Sequence, residues 1–311
     1  MENFKVKEAV FLMYPLDIRQ SDEWAQYLEF LGWVPLKTSL GANAAMMTSK
    51  FGNVIKVQRP VRLVEGDLNE LEAIAVENKV ALVKIEPSLS QDLQVLTAKG
   101  YESNGSPLSP PTTIFINLGK TAEELWEDLS GSCKYSIKRA QREGVKVKFF
   151  DNPNNDLVQQ FYEIHSSTGR QKKFYIQGYD DVQKKVDLYG DKAILGLSYS
   201  ADGAITGGNL YLGFGEGVWY MHGGTTVDGR KTKNGYELYW QSILYLKSKG
   251  YAWFDLEGVD DKRYPAFTKN WGGLSHFKER FGGVRVEFPR TYVKIYKPLL
   301  KKLSRYFSFQ I

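Results

Sequence analysis

The chain has 311 residues, 42% hydrophobic, 25% charged and 14% aromatic, which describes a globular protein with one large core or two rather than a disordered or fibrous one. Its longest apolar run, Ala9 to Leu16, has 8 residues, against the roughly 20 that a membrane-spanning helix needs, and Glu2 and Glu8 among the first lysines argue against a signal peptide. A single cysteine, Cys133, excludes an internal disulfide and a cysteine-built metal site, so a cytoplasmic protein is expected.

The net charge of +5 is unevenly spread. Between Gly131 and Lys148 there are six cations (Lys134, Lys138, Arg139, Arg142, Lys146, Lys148) against Glu143 alone, and from Phe288 to Ile311 six more with no acid. The rest of the chain is therefore slightly acidic. Such local basic features favour phosphate-bearing or membrane-surface partners, although solvated helix faces are their commoner fate.

In chain order, Ser21–Leu31 reads as a helix with Ser21 as N-cap and Gly32 as its stop. Asn43–Ser49 and Asn53–Val57 read as a hairpin across Phe51-Gly52. A helix at Asp67–Asn78, a strand at Val80–Ile85 and a helix at Ser90–Lys99 follow, then a proline-rich loop Ser103–Thr113 feeding a strand Thr113–Leu118. Thr121-Ala-Glu-Glu124 is a capping box for a helix Ala122–Leu129. Ser132 is expected to open the next helix, with Cys133, Ile137 and Ala140 inward and Lys134, Lys138 and Arg142 as a cationic stripe. It leads to a strand Val145–Phe150.

After the turn residues Asp151–Asn155 the rhythm restarts. Helices are expected at Leu157–Thr168 and Asp180–Leu188, and strands at Ala193–Ser200, Ala204–Gly213 and Gly217–His222. A helix Tyr236–Lys249 and a strand Ala252–Leu256 close this pass. Two similar passes predict an α/β protein in two halves with mixed, mostly antiparallel sheets, joined near residue 152.

No phosphate-loop, nucleophile-elbow or zinc-protease pattern is present, and His165, His222 and His276 are scattered. Gly213-Phe-Gly-Glu-Gly217 lies between two strands and reads as a hairpin turn, not a dinucleotide loop. Arg230-Lys-Thr-Lys-Asn-Gly235 leads into a helix but lacks the second glycine of a loop that cradles a CoA pyrophosphate. No cofactor is expected.

Two stretches carry a resemblance. Pro111–Leu118, the capping box and Lys134-Tyr-Ser-Ile-Lys-Arg-Ala-Gln-Arg-Glu-Gly-Val145 form one; Phe254-Asp-Leu-Glu-Gly258 with Gly273-Leu-Ser-His-Phe-Lys-Glu-Arg-Phe-Gly-Gly283 forms the other. Together with the shorter matches Gln20–Trp24, Ile85–Pro87 and Thr168–Arg170, in order along nearly the whole chain, they resemble the FemA/FemB/FemX (FemABX) family of peptidoglycan-bridge aminoacyltransferases, in its compact FemX-like type.

The resemblance implies two tandem N-acetyltransferase-like (GNAT) domains, here 1–152, completed by a returning segment 289–311, and 153–288. It implies transfer of an amino acid from aminoacyl-tRNA to the stem-peptide amine of a peptidoglycan precursor, nucleotide-linked or lipid-linked. An acyltransferase using CoA or a carrier-bound donor, and a non-catalytic phosphate-recognising adaptor, are the alternatives. Gln26, Tyr27 and Leu28 stand where compact members carry a substrate lysine, which leaves the acceptor open.

The ester of an aminoacyl-tRNA is already activated, so the tasks are positioning and charge stabilisation. Lys278, with Phe277 before it, is the candidate donor to the tetrahedral oxyanion or to the tRNA's terminal phosphate; on the residues alone an ion pair with Glu279 is the more ordinary reading. Asp255 and Glu257 are candidate acceptors of the amine proton, expected on the same side of one strand. Arg170 and Tyr220 are candidate contacts to the acceptor, and Lys134, Lys138 and Arg142 to RNA or diphosphate. The tail from Pro298, with Leu299, Leu300, Leu303, Tyr306 and Phe307 on one face and Lys297, Lys301, Lys302 and Arg305 around it, is expected to dock on the first half; a peripheral contact with the inner membrane face is the other expectation.

Overall fold

A computed structural model describes residues 14–50, 52–172 and 174–303. Most of the Ala9–Leu16 run, Phe51 at the hairpin turn and Arg305, Tyr306 and Phe307 of the tail lie outside them.

The first helix, α1 (Asp22–Phe30), is capped by Ser21, whose Oγ accepts from Trp24 N at 3.0 Å. Strands β1 (Val34–Lys37), β2 (Asn43–Ser49) and β3 (Gly52–Gln58) form an antiparallel meander. Helix α2 (Glu65–Glu77) then crosses over to β4 (Leu82–Glu86), which runs parallel to β3 from Val54↔Leu82 to Gln58↔Glu86. Ile55, Val57, Val83 and Ile85 share the face that buries against Leu68 and Leu71 of α2. Helix α3 (Leu93–Ala98) and strand β5 (Glu102–Gly105) end this pass. The proline-rich loop therefore starts after Gly105, not at Ser103.

Strand β6 (Thr112–Asn117) opens the second pass. The capping box forms, Glu124 N donating to Thr121 Oγ1 and Thr121 N to Glu124 Oε2, and starts α4 (Ala122–Glu127). Helix α5 (Gly131–Arg142) is capped by Ser130, two residues before the expected Ser132, because Ser130 Oγ accepts from Cys133 N at 3.2 Å. Cys133, Ile137 and Ala140 are fully buried beneath it. There follow β7 (Lys146–Asp151), α6 (Asn155–Lys172), α7 (Tyr179–Tyr189), β8 (Ala193–Tyr199), β9 (Ile205–Phe214) and β10 (Gly217–Thr225). Gly213–Gly217 is the β9–β10 turn, with Gly215 at a φ of 53° that favours glycine.

Helices α8 (Val227–Lys231) and α9 (Asn234–Ser248), strand β11 (Trp253–Asp255), helix α10 (Gly272–Glu279) and strand β12 (Val284–Glu287) complete the pass. The turn from α10 to β12 requires its glycine pair. Gly282 and Gly283 sit at φ 77° and 83°, and a Cβ at Gly283 would lie 2.6 Å from Phe115 O. The last elements are β13 (Thr291–Ile295) and α11 (Pro298–Leu303), on which Leu300 is buried and Lys301 and Lys302 are exposed.

The strands form two mixed sheets, in the orders β1-β2-β3-β4-β13-β5 and β12-β6-β11-β10-β9-β8-β7. Contacts divide the chain into two compact units, one of residues up to Pro111, Asp261–Phe267 and Glu287 onward, the other of Thr112–Asp260 and Thr268–Val286. The division falls at Pro111, some forty residues before the expected join near residue 152. Residues 112–152 belong with the second unit because β6 pairs with β11 and β7 with β8. Strand β13 belongs with the first, between β4 and β5.

Candidate active site

In the second sheet β10 and β11 are parallel, paired from Gly217↔Trp253 to Trp219↔Asp255. Beyond that point they part. Strand β10 continues to Thr225 beside β9, with an irregularity between Tyr220 and His222. The chain after β11 stays with β6 instead, as Leu256 N donates to Ile114 O and Val259 N to Thr112 O.

Lys278, on α10, links the two departing arms. Its side chain is 2% exposed, and Nζ donates to the carbonyls of Glu257 at 3.1 Å and Gly258 at 2.9 Å on the β11 arm. The same Nζ lies 5.1 Å from the ring centroid of Tyr220 on the β10 arm, a cation–π distance. Burial pulls its pKa down to about 8, opposed by the charges of Glu257 and Asp255. An ammonium has three donors, and two serve the loop. The ion pair with Glu279 is not made; Glu279 accepts from Arg285 at 2.8 Å.

One turn earlier on α10, Ser275 Oγ accepts from Asp260 N at 2.7 Å and donates to Trp271 O at 2.9 Å. The loop 257–260 is thus held to α10 at three backbone positions. Glu257 takes the left-handed conformation, φ 57°, which costs a non-glycine residue about 1–2 kcal/mol and is sustained by these bonds.

Asp255 ends β11 and is buried. Its Oδ1 accepts from Thr113 Oγ1 of β6 and, at 2.7 Å, from Glu257 N. The alternation expected to set Asp255 and Glu257 on the same side fails because the strand ends at Asp255 and residue 257 is left-handed.

Phe277 joins an aromatic group, where its ring lies 4.9 Å from Tyr236, 5.0 Å from Tyr239 and 5.2 Å from Phe281. Tyr239 in turn lies 5.4 Å from Tyr220, whose phenol is pushed up to about 12 by burial. Lys278, Tyr220, Asp255 and the Glu257 backbone are therefore one cluster, to which Phe277 is joined through Tyr239.

Arg170 is exposed in the last turn of α6 and takes no part in these contacts. Lys134 leaves the cationic stripe, bonding Glu127 Oε2 at 3.0 Å, whereas Lys138 and Arg142 remain exposed. Thr113, Ser275 and Tyr239 were not anticipated as site residues. Of these only Ser275 carried a local signal, its position three residues before Lys278 on the same helix face.

A second buried polar group lies past the β10 irregularity. Lys185 of α7 donates to Gln177 Oε1 and, at 3.2 Å, to His222 Nε2, while His165 Nδ1 donates to Gly223 O at 2.8 Å. The two imidazoles, 5.2 Å apart, are held below the usual histidine range by burial. Two of the three histidines are therefore neighbours rather than scattered.

The family model of the FemAB family matches residues 91–201 and 198–308. The chain is similar to the crystal structure of FemX, with a TM-score of 0.79 at 17% identity over 96% of this chain and 97% of that one. The C-terminal domain of a putative lysylphosphatidylglycerol synthetase from Agrobacterium fabrum gives a TM-score of 0.63 at 14% identity, over 93% of this chain and 92% of that chain. A tandem GNAT protein from the clavulanic acid biosynthesis pathway gives 0.51 at 10%, over 83% and 79%. With both repeats of the family model matched across most of its length, the chain belongs to the FemAB family.

Proposed function

We propose that this protein is an acyltransferase forming an amide bond, and specifically that it moves an amino acid from aminoacyl-tRNA to the stem-peptide amine of a peptidoglycan precursor. The observation that carries the reading is Lys278, a buried ammonium fixed by two carbonyls where β10 and β11 part. The attacking amine makes a tetrahedral centre on the ester carbon, and the third N–H of Lys278 donates to its oxyanion. The two carbonyls keep Nζ in place, so little reorganisation accompanies the reaction. At neutral pH a group titrating near 8 is mostly charged. Asp255, bonded to Thr113 and Glu257 N, positions the loop, and the Glu257 carboxyl is the proposed acceptor of the amine proton. Collapse of the tetrahedral centre then breaks the ester C–O bond, and the same proton passes to the departing ribose oxygen, releasing the tRNA with a free hydroxyl.

Family membership supports this chemistry at the level of the peptidoglycan-bridge transferases. We assign acceptor binding to Tyr220 and Arg170, phosphate contacts to Lys138 and Arg142, and the two units to the two GNAT-like domains. The basic tail is proposed to rest on the first unit, where α11 packs beside β13 and Leu300 is buried. Acyl-CoA has less support as donor. In the stretch Arg230–Gly235 the amides of Arg230, Thr232 and Lys233 already donate to backbone carbonyls and do not face a pyrophosphate.

The test is incubation of the full chain with a mixture of charged tRNAs and nucleotide-linked or lipid-linked precursors, followed by mass analysis of the acceptor. An acceptor heavier by one aminoacyl residue supports the reading. An acceptor acylated only when acyl-CoA is supplied overturns it.

A further inference from the structure

The outer face of α5 combines three features. Tyr135 is 61% exposed, and Lys138 and Arg142 follow it at i+3 and i+7, on the same side of the helix. Together with Gln141 they line a shallow cavity of about 540 Å³. The nearby carboxylates are already engaged: Glu127 with Lys134, Asp128 with Lys120 and Glu143 with Arg139. Among the described residues Lys138 and Arg142 form no ion pair, so the face keeps its positive charge. Gln141 Nε2 is tied to Glu237 Oε2 at 3.0 Å, which fixes the cavity wall. Beneath the face, Cys133, Ile137 and Ala140 anchor the helix in the core.

A rigid helix that presents one aromatic ring beside two cations without carboxylate partners has the chemistry of a single-stranded nucleotide platform. The ring offers a stacking surface to a base, and the cations meet the flanking phosphates. We propose that this face binds an unpaired nucleotide of the RNA donor, its base on Tyr135 and its phosphates on Lys138 and Arg142. The inference rests on the tRNA-dependent reading above and names the part of the donor that this face holds. A nucleoside diphosphate on the acceptor offers the same base and phosphates, so the experiment separates the two sources.

Binding to the full chain is measured by fluorescence anisotropy with a short single-stranded RNA ending in CCA, and by competition with a uridine diphosphate sugar. Tyr135→Ala is expected to weaken RNA binding by about tenfold or more, and Tyr135→Trp to keep it, because each stacked base contributes at that scale. Lys138→Ala with Arg142→Ala is expected to reduce the salt slope of log K by about 1.4, the contribution of two single-strand phosphates. Unchanged affinity in Tyr135→Ala, or an unchanged slope in the double variant, overturns the platform. Displacement of the sugar nucleotide that depends on Tyr135, with no effect on the RNA, overturns the donor as its source. These outcomes are separable from the wider reading. A Tyr135→Ala enzyme that still transfers from charged tRNA at the wild-type rate removes the platform alone, whereas wild-type protein that binds the oligonucleotide but forms no amide from any charged tRNA removes the transfer reading and leaves the platform.

Discussion

Lys278 Nζ donates to Gly258 O at 2.9 Å while lying 5.1 Å from the Tyr220 ring, so one buried ammonium joins the loop that follows β11 to the neighbouring strand β10. The contacts that hold the cation also decide the shape of the backbone around it.

Replacing the ammonium by an apolar side chain of similar length separates chemistry from folding. Lys278→Met is expected to lower kcat by about 10²–10³, the usual loss for one oxyanion donor, with KM for the acceptor little changed. Steady-state kinetics beside circular dichroism checks this; equal losses of kcat and of folded protein would assign the residue to stability alone.

Two pH effects follow from the depressed pKa. The cation is lost as pH rises through about 8, so kcat should fall above that value. A guanidinium does not deprotonate in this range, so residual activity in the Lys278→Arg variant should lack the fall. Stability moves the opposite way. Between about 8 in the folded chain and about 10.4 in the unfolded one the unfolded state holds more protons, so unfolding free energy rises with pH across that window. Lys56 and Lys84 are also lowered to about 8 by burial. The contribution of Lys278 is therefore the difference between wild type and Lys278→Met in urea titrations at about pH 7.5 and about pH 9.5, on either side of the folded-state value.

Thr113→Val removes the hydroxyl that Asp255 accepts from. Leaving a buried carboxylate short of a donor costs about 1–3 kcal/mol, and the Glu257 amide that shares Oδ1 should shift with it. Denaturant unfolding should show the loss, and kcat should fall with it while tRNA binding stays intact.

Gly283→Ala places a Cβ 2.6 Å from Phe115 O at a φ of 83°. The strain is of order 1–3 kcal/mol. The loss should appear as a lower melting temperature, together with reduced activity, because this turn positions α10.

Much of this was legible from local pattern. The Thr121–Glu124 box, the Ser21 cap and the buried Cys133, Ile137 and Ala140 all depend on neighbours within two helical turns. What was not legible depends on distant partners. Strand β5, Glu-Ser-Asn-Gly, has the composition of a loop and is a strand only because β13, far along the chain, pairs with it. The unit division at Pro111 follows from β6 pairing with β11, and Thr113 meets Asp255 from 142 residues away. Lys134 left the stripe because Glu127, one helix earlier, offered an ion pair that the spacing on α5 does not reveal.

The most direct measurement is single-turnover transfer from charged tRNA to a precursor amine, comparing wild-type enzyme with Lys278→Met at saturating donor. Amide formation is expected of the wild type and, in the variant, a chemical step slower by about two to three orders of magnitude with donor binding unchanged. Transfer at the same rate in both would contradict the proposed role of Lys278.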